Sequence, residues 1–201
     1  MASASAIGVL GGSFDPVHYG HLAIARQAFA SFSLKKVLFV PAGHPPHKSS
    51  TIKANATHRL AMLRLALKGI DFPSEICPLE INRPGPSYTI DTLIELRQLY
   101  PGCELYFIIG SDNLDEIKTW HEYRKVLTLA QFCVTHRPGY PAILPPELSD
   151  ATIRTFPSPE KEISSSMVRA DLAQGDSCES RVPAPVLDYI KANGIYGSTR
   201  H

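Results

Sequence analysis

Two histidines three residues apart, His18 and His21, follow the stretch Gly11-Gly12-Ser13-Phe14-Asp15-Pro16 at the end of a short apolar run. At a helix start, positions i and i+3 share a face. Both imidazoles are therefore expected to point toward the helix N-terminus, where free N–H groups attract an anion. Each ring can donate a hydrogen bond to a phosphate oxygen, and a protonated ring adds charge. Phosphoryl-type transfer depends mostly on positioning and charge stabilisation, which this pair suits. Gly11 and Gly12 are expected to turn the backbone tightly and bring its N–H groups, with those of Ser13 and Phe14, close to a nucleotide. The segment fits neither G-x-G-x-x-G nor a P-loop. No metal site is expected, because two histidines without a third donor are a weak ligand set. Asp15, beside Pro16, reads as a turn residue.

A second stretch with the same bias lies near the far end of the chain, at Ile163-Ser164-Ser165-Ser166-Met167-Val168-Arg169. Serines at a helix start offer hydroxyls and free N–H groups to an anion. Arg169 falls four residues after Ser165, on the same face, and a guanidinium grips phosphate bidentately.

The first segment resembles the G-x-F-D-P-x-H-x-G-H signature of the nucleotidylyltransferase superfamily with a T/HxGH motif. The second is similar to that superfamily's I-S-S-T-x-x-R, with Ser166 in place of threonine. His at position 18, where phosphopantetheine enzymes carry Thr, and Ser87-Tyr88-Thr89 followed by Thr92-Leu93 resemble the bacterial nicotinate mononucleotide adenylyltransferases. Phe107-Ile108-Ile109-Gly110-Ser111-Asp112, Trp120, Pro45-Pro46-His47-Lys48, Arg137-Pro138-Gly139-Tyr140 and the ending Tyr189 to Tyr196 extend that resemblance over nearly the whole chain. His121 departs from the tyrosine common there.

The resemblance implies ATP, accompanied by Mg²⁺, and nicotinate mononucleotide as substrates, with deamido-NAD and pyrophosphate as products. It implies His18, His21 and Arg169 as catalytic residues. Gly11, Gly12, Ser13, Phe14, Lys48, Gly110, Asp112, Ile163, Ser164 and Ser165 would meet ATP. Ser87, Tyr88, Thr89, Trp120, His121 and Arg137 would meet the mononucleotide. Its carboxylate is expected at the backbone N–H near Thr89, and its ring on Trp120. The 5′-phosphate, dianionic above its second pKa of about 6, needs no protein base to attack in line. No serine or cysteine has an activating partner, so no covalent intermediate is expected.

These motifs need elements to hold them. Ala6–Leu10, Lys36–Val40, Glu75–Ile81, Leu105–Ile109, Phe132–Thr135 and, more weakly, Thr152–Phe156 read as strands. Between and after them, helical spacing runs from Leu22 to Phe32, from an Asn55 or Thr57 cap through Leu60, Leu63 and Leu67, and from Thr89 to Leu99. Two short helices follow, near Ser165–Ala173 and Pro185–Ala192. Alternating strands and helices predict a doubly wound, mostly parallel α/β sheet, Rossmann-like, with a small C-terminal helical part at about 164–196 and a single domain over 1–201. The loops after Leu10, Val40, Ile109 and Phe156 should then meet around one crevice.

Composition agrees. The 201 residues are 44% hydrophobic and 19% charged with a net charge of +1, an ordinary globular balance without the basic excess of a nucleic-acid binder. Four widely spaced cysteines suggest reduced thiols. The N-terminus lacks the pattern of a signal peptide, and no apolar run is long enough to span a bilayer. The expectation is a cytoplasmic monomer or small homo-oligomer.

Overall fold

The computed structural model of the chain describes residues 5–45, 52–110, 114, 116–136, 153–158 and 163–197. Six strands form one parallel sheet: β1 (Ser5–Gly12), β2 (Lys36–Pro41), β3 (Ser74–Ile76), β4 (Cys103–Gly110), β5 (Gln131–His136) and β6 (Ile153–Pro157). Their spatial order is β3-β2-β1-β4-β5-β6, with every neighbouring pair parallel. The order reverses between β1 and β4, and an open α/β sheet binds ligands beyond the carboxyl ends of its strands at such a point. The helices are α1 (Tyr19–Ser31), α2 (Ala56–Leu67), α3 (Leu79–Asn82), α4 (Thr89–Leu99), α5 (Tyr123–Leu129), α6 (Ser165–Gln174) and α7 (Ala184–Asn193). This is the doubly wound architecture that the sequence implies.

Central parallel strands are buried on both faces and read as unbroken apolar runs. Their side chains still sort by parity. Leu10, Val37, Phe39 and Ile108 join one core with α1, α2, α6 and α7. Ile7, Val9, Leu38, Val40, Phe107 and Ile109 join the other with α4 and α5. Val168, Leu172, Val186, Leu187 and Ile190 belong to the first core, so the C-terminal helices are packed onto the sheet.

Several boundaries differ from the sequence reading. β1 runs on through Gly11 and Gly12, which pair with Val40 and Pro41. The tight turn comes later, where Phe14 takes a positive φ of 48°. The third strand stops at Ile76: Cys77 N–H still reaches Phe39 O at 2.9 Å, but Pro78 has no N–H to continue, and α3 begins at Leu79. α5 was not expected, because seven residues with one buried side chain, Val126, carry no readable period. Asn55 is the cap of α2, its side chain accepting from His58 N–H at 3.0 Å. No helix among the described residues is long and apolar enough to cross a membrane.

Candidate active site

His18 caps α1 with extended backbone, and His21 sits one turn on. Their rings stack with centroids 3.7 Å apart, and the edge of Phe14 braces His21 at 4.9 Å. His18 N–H donates to His21 Nδ1 at 3.3 Å. That bond leaves His21 Nδ1 without a proton, so Nε2 carries it and is the donor available to a ligand. His18 Nδ1 is buried and has no hydrogen-bond partner among the described residues. A side chain on Gly20 would put its Cβ 3.0 Å from that nitrogen and 3.3 Å from Ile163 O, so the glycine lets the ring sit where it does.

Burial lowers His18 from its ordinary 6.5 to about 4, and burial with the neighbouring His18 takes His21 well below its own. At neutral pH the pair is therefore uncharged in the free protein. The extra positive charge expected of a protonated ring is not there before a ligand binds; two N–H dipoles are. The helix N-terminus is also partly used, since Tyr19 N–H donates to Arg181 O at 2.8 Å.

A stability consequence follows. Above pH 6.5 both folded and unfolded chains hold neutral imidazoles. Below it the unfolded chain takes up a proton at His18 that the folded chain refuses until about pH 4. Folded stability is thus lost as pH falls through that window, on the order of 3 kcal/mol from His18. Urea denaturation at pH 7.5 and 4.5 should show a smaller loss in His18→Asn than in the parent chain. An equal loss in both would exclude the imidazole as its source.

The loop carrying the pair is gripped at three carbonyls by side chains from two helices, α2 and α6. Arg59 Nη1 donates to Ser13 O at 2.8 Å, Arg169 Nη1 to Asp15 O at 2.7 Å, and Ser165 Oγ to Pro16 O at 3.0 Å. Asp15 is buried, and its carboxylate accepts from Lys53 N–H at 2.7 Å, Ala54 N–H at 3.0 Å and Tyr196 hydroxyl at 2.6 Å, with Arg169 Nη1 3.7 Å from Oδ2. Asp15 is the hub of the loop rather than a turn residue alone. Arg59 is fully buried in α2; burial pulls its guanidinium down while Asp15 opposes that.

These contacts revise the serine run. Ser164 caps α6 through Met167 N–H at 3.1 Å, Ser165 holds Pro16, and Ser166 accepts from Arg169 Nη2 at 3.2 Å. Of the three hydroxyls expected to face an anion, that of Ser165 is donated to the loop, while Ser164 and Ser166 accept here and keep their own O–H to donate. Arg169 is likewise half committed, with its side chain 17% exposed.

A second group forms at the start of α4. Ser87 Oγ accepts from His44 N–H at 2.9 Å, and Ser87 N–H donates to His44 O at 2.9 Å. Glu80, largely buried, raises its pKa by desolvation and is held by Thr92 hydroxyl at 2.9 Å, by Ser87 and by Gly43 N–H. A Cβ on Gly43 would lie 2.1 Å from Glu80 O, so only glycine allows this approach. The ring of His121 lies 4.5 Å from that of Tyr88, and Trp120 stands edge-on to Phe107 at 6.1 Å. Thr89 opens α4, whose first N–H groups lack helical acceptors.

Both groups are tied to the carboxyl ends of neighbouring strands, the first to β1 and the second to β2 and β4. Ala42 N–H donates to Gly12 O at 2.9 Å, and Phe107 lies within 3.8 Å of where a Gly11 Cβ would be. Gly110 ends β4 opposite Thr135. Among the expected site residues, Lys48, Asp112 and Arg137 lie outside the described residues. The sequence gives Asp15 only a turn role and assigns none to Arg59, Glu80 or Tyr196. A signal existed for Arg59, which falls three and four positions before the buried Met62 and Leu63.

A strand, a tight loop and a helix start presenting two imidazoles, at the switch point of a doubly wound sheet, define a nucleotide-handling α/β protein. Residues 9–171 match the family model described as cytidylyltransferase-like. Probable nicotinate-nucleotide adenylyltransferases are similar over almost their whole length: 43% identity in Roseiflexus sp. (96% of this chain, 99% of the relative) and 40% in Desulfitobacterium hafniense strain Y51 (94% and 95%). The chain belongs to the nicotinate-nucleotide adenylyltransferase family, within the cytidylyltransferase-like nucleotidyltransferases. The Plasmodium falciparum nicotinic acid mononucleotide adenylyltransferase complexed with NaAD shares the fold, with a TM-score of 0.82 at 21% identity over 98% of this chain and 100% of that one.

Proposed function

We propose that the chain transfers the adenylyl group of ATP to nicotinate mononucleotide, giving deamido-NAD and pyrophosphate, a step in making NAD. The observation that carries this reading is the stacked His18–His21 pair, with the His21 tautomer set by the His18 N–H. Two neutral donors held rigidly at a helix start stabilise charge that develops on phosphate oxygens without reorganising.

A 5′-phosphate oxygen of the mononucleotide attacks the α-phosphorus of ATP. The new P–O bond forms as the bond from the α-phosphorus to the bridging oxygen breaks, and that oxygen leaves with pyrophosphate. No proton need move, because nucleophile and leaving group are both anions. His18 and His21 donate to the oxygens that gain charge, and Arg169 offers its remaining N–H groups to the same chain of phosphates. Gly11 to Phe14, Ile163 and Gly110 line the nucleotide side, with Ser165 acting through the loop it holds and Ser164 at the start of α6. Ser87, Tyr88, Thr89, Trp120 and His121 line the pyridine side. The first N–H groups of α4 suit a carboxylate.

Among the described residues no three His, Cys, Asp or Glu side chains cluster as a protein-held cation needs. On this reading Mg²⁺ would accompany the triphosphate and neutralise part of its charge.

The test is pyrophosphate release with ATP and Mg²⁺, comparing nicotinate mononucleotide, nicotinamide mononucleotide and phosphopantetheine. Turnover with the nicotinate form, at least tenfold above the amide, is expected from a carboxylate site at α4, where roughly 1.4 kcal/mol suffices. Equal rates with acid and amide would remove that site. Release with phosphopantetheine alone would overturn the substrate.

A further inference from the structure

The turn Ile195–Gly197 follows α7, and its Tyr196 lies 181 positions from Asp15, yet the Tyr196 hydroxyl donates to Asp15 Oδ1 at 2.6 Å. Tyr196 keeps left-handed backbone, φ 62° and ψ 25°, two residues after Gly194 at φ 61°. A non-glycine residue adopts that conformation at a cost. The bend delivers one phenol to one buried carboxylate. Burial and Asp15 both push the phenol's pKa up, so it remains a donor throughout the working pH range.

The two oxygens of Asp15 do different work. Oδ1 accepts from Ala54 N–H and Tyr196, while Oδ2 accepts from Lys53 N–H and faces Arg169 Nη1 at 3.7 Å. Lys53 and Ala54 are adjacent in the chain and hold the carboxylate from one side of the loop. The carboxylate torsion of an aspartate is broad on its own. Tyr196 is the donor from a separate element that narrows it and so keeps Oδ2 turned to the arginine.

We propose that Tyr196 is a positioning residue: by pinning the Asp15 carboxylate it sets the angle at which the Arg169 guanidinium meets a phosphate. This rests on the role given to Arg169 in the proposed reaction. The bond from Arg169 Nη1 to Asp15 O fixes one nitrogen of the guanidinium and that from Nη2 to Ser166 another, so the direction of its remaining N–H groups shifts when Asp15 shifts.

The test is a double-mutant cycle in the full chain with Tyr196→Phe and Arg169→Ala, reading kcat, both KM values and the thermal midpoint. Tyr196→Phe should lower kcat roughly tenfold and leave KM for the mononucleotide within about twofold. In the Arg169→Ala background it should have no further effect on kcat. Tyr189→Phe is the control: its hydroxyl meets His58 Nδ1 at 3.0 Å and ties α7 to α2 away from the loop. It should lower the midpoint with kcat unchanged. A Tyr196→Phe chain that loses kcat equally in both backgrounds, or that only melts earlier as Tyr189→Phe does, overturns the inference. If Arg169→Ala alone keeps full kcat, the phosphate role of Arg169 fails first, and the positioning role falls with it. That result differs from a large Arg169→Ala loss beside an inert Tyr196→Phe, which sinks the inference alone.

Discussion

Replacing His18 by alanine should lower kcat by roughly a thousandfold, while the chain keeps its fold and binds both substrates within a few fold of normal. The size follows from losing a preorganised donor to phosphate oxygens, which costs about 10²–10³ in rate. The fold should survive because His18 Nδ1 has no partner among the described residues to lose. The His21 tautomer should survive as well, since the donor that sets it is the main-chain N–H of residue 18. What His21 loses is the ring stacked 3.7 Å from it. Its own contribution should therefore fall in the His18→Ala chain, and His18→Ala/His21→Ala should be little slower than either single variant. Steady-state rates of the three variants, with circular dichroism as the control for folding, decide it. Loss factors that multiply would mean two independent donors, and a near-normal His18→Ala would remove the imidazole pair from the chemistry.

The largest effect on stability is expected at Asp15. Asp15→Ala strands Lys53 N–H, Ala54 N–H and the Tyr196 hydroxyl, and removes the negative charge facing Arg169 and Arg59. Unpaired buried donors and an uncompensated buried cation together cost about 3–5 kcal/mol. Turnover should fall with it, because the same residue's carbonyl and carboxylate hold Arg169. Asp15→Asn keeps the volume and one acceptor oxygen and should recover part of the loss. Urea denaturation of the three chains measures it. A loss under about 1 kcal/mol in Asp15→Ala would show that water satisfies those donors and that the hub is not structural.

Much of this arrangement can be read in the chain itself. The central strands announce themselves because burial on both faces leaves unbroken apolar runs such as Val37 to Val40. The histidine pair, the serine run and Arg169 stand out because their spacing suits one face of a helix start. What those serines do does not stand out. A hydroxyl that caps a helix or grips a carbonyl is chemically the same as one that meets a phosphate, and only the proximity of Pro16 to Ser165 separates the cases. Asp15 was hidden by a similar ambiguity, since Asp-Pro is ordinary turn chemistry and its partners lie far away in sequence. Glu80 sits in a four-residue helix with no buried apolar residue to mark its period. The neutrality of His18 and His21 depends on burial, which residue spacing does not record.

The distances along the chain between Asp15 and its partners bear on how the protein is made. Arg169 and Tyr196 follow it by 154 and 181 positions. At about 5–20 residues per second, a ribosome takes roughly ten to forty seconds to deliver them after Asp15 has been joined. Through that interval a nascent chain can pair β1 with β2 and begin its first core, but the aspartate has no arginine or phenol to meet. Its burial must wait. The loop that carries His18 and His21 is thus completed only after Arg169 and Tyr196 have emerged, and a product cut short before them would leave Asp15 without its arginine and its phenol however well its early strands had set.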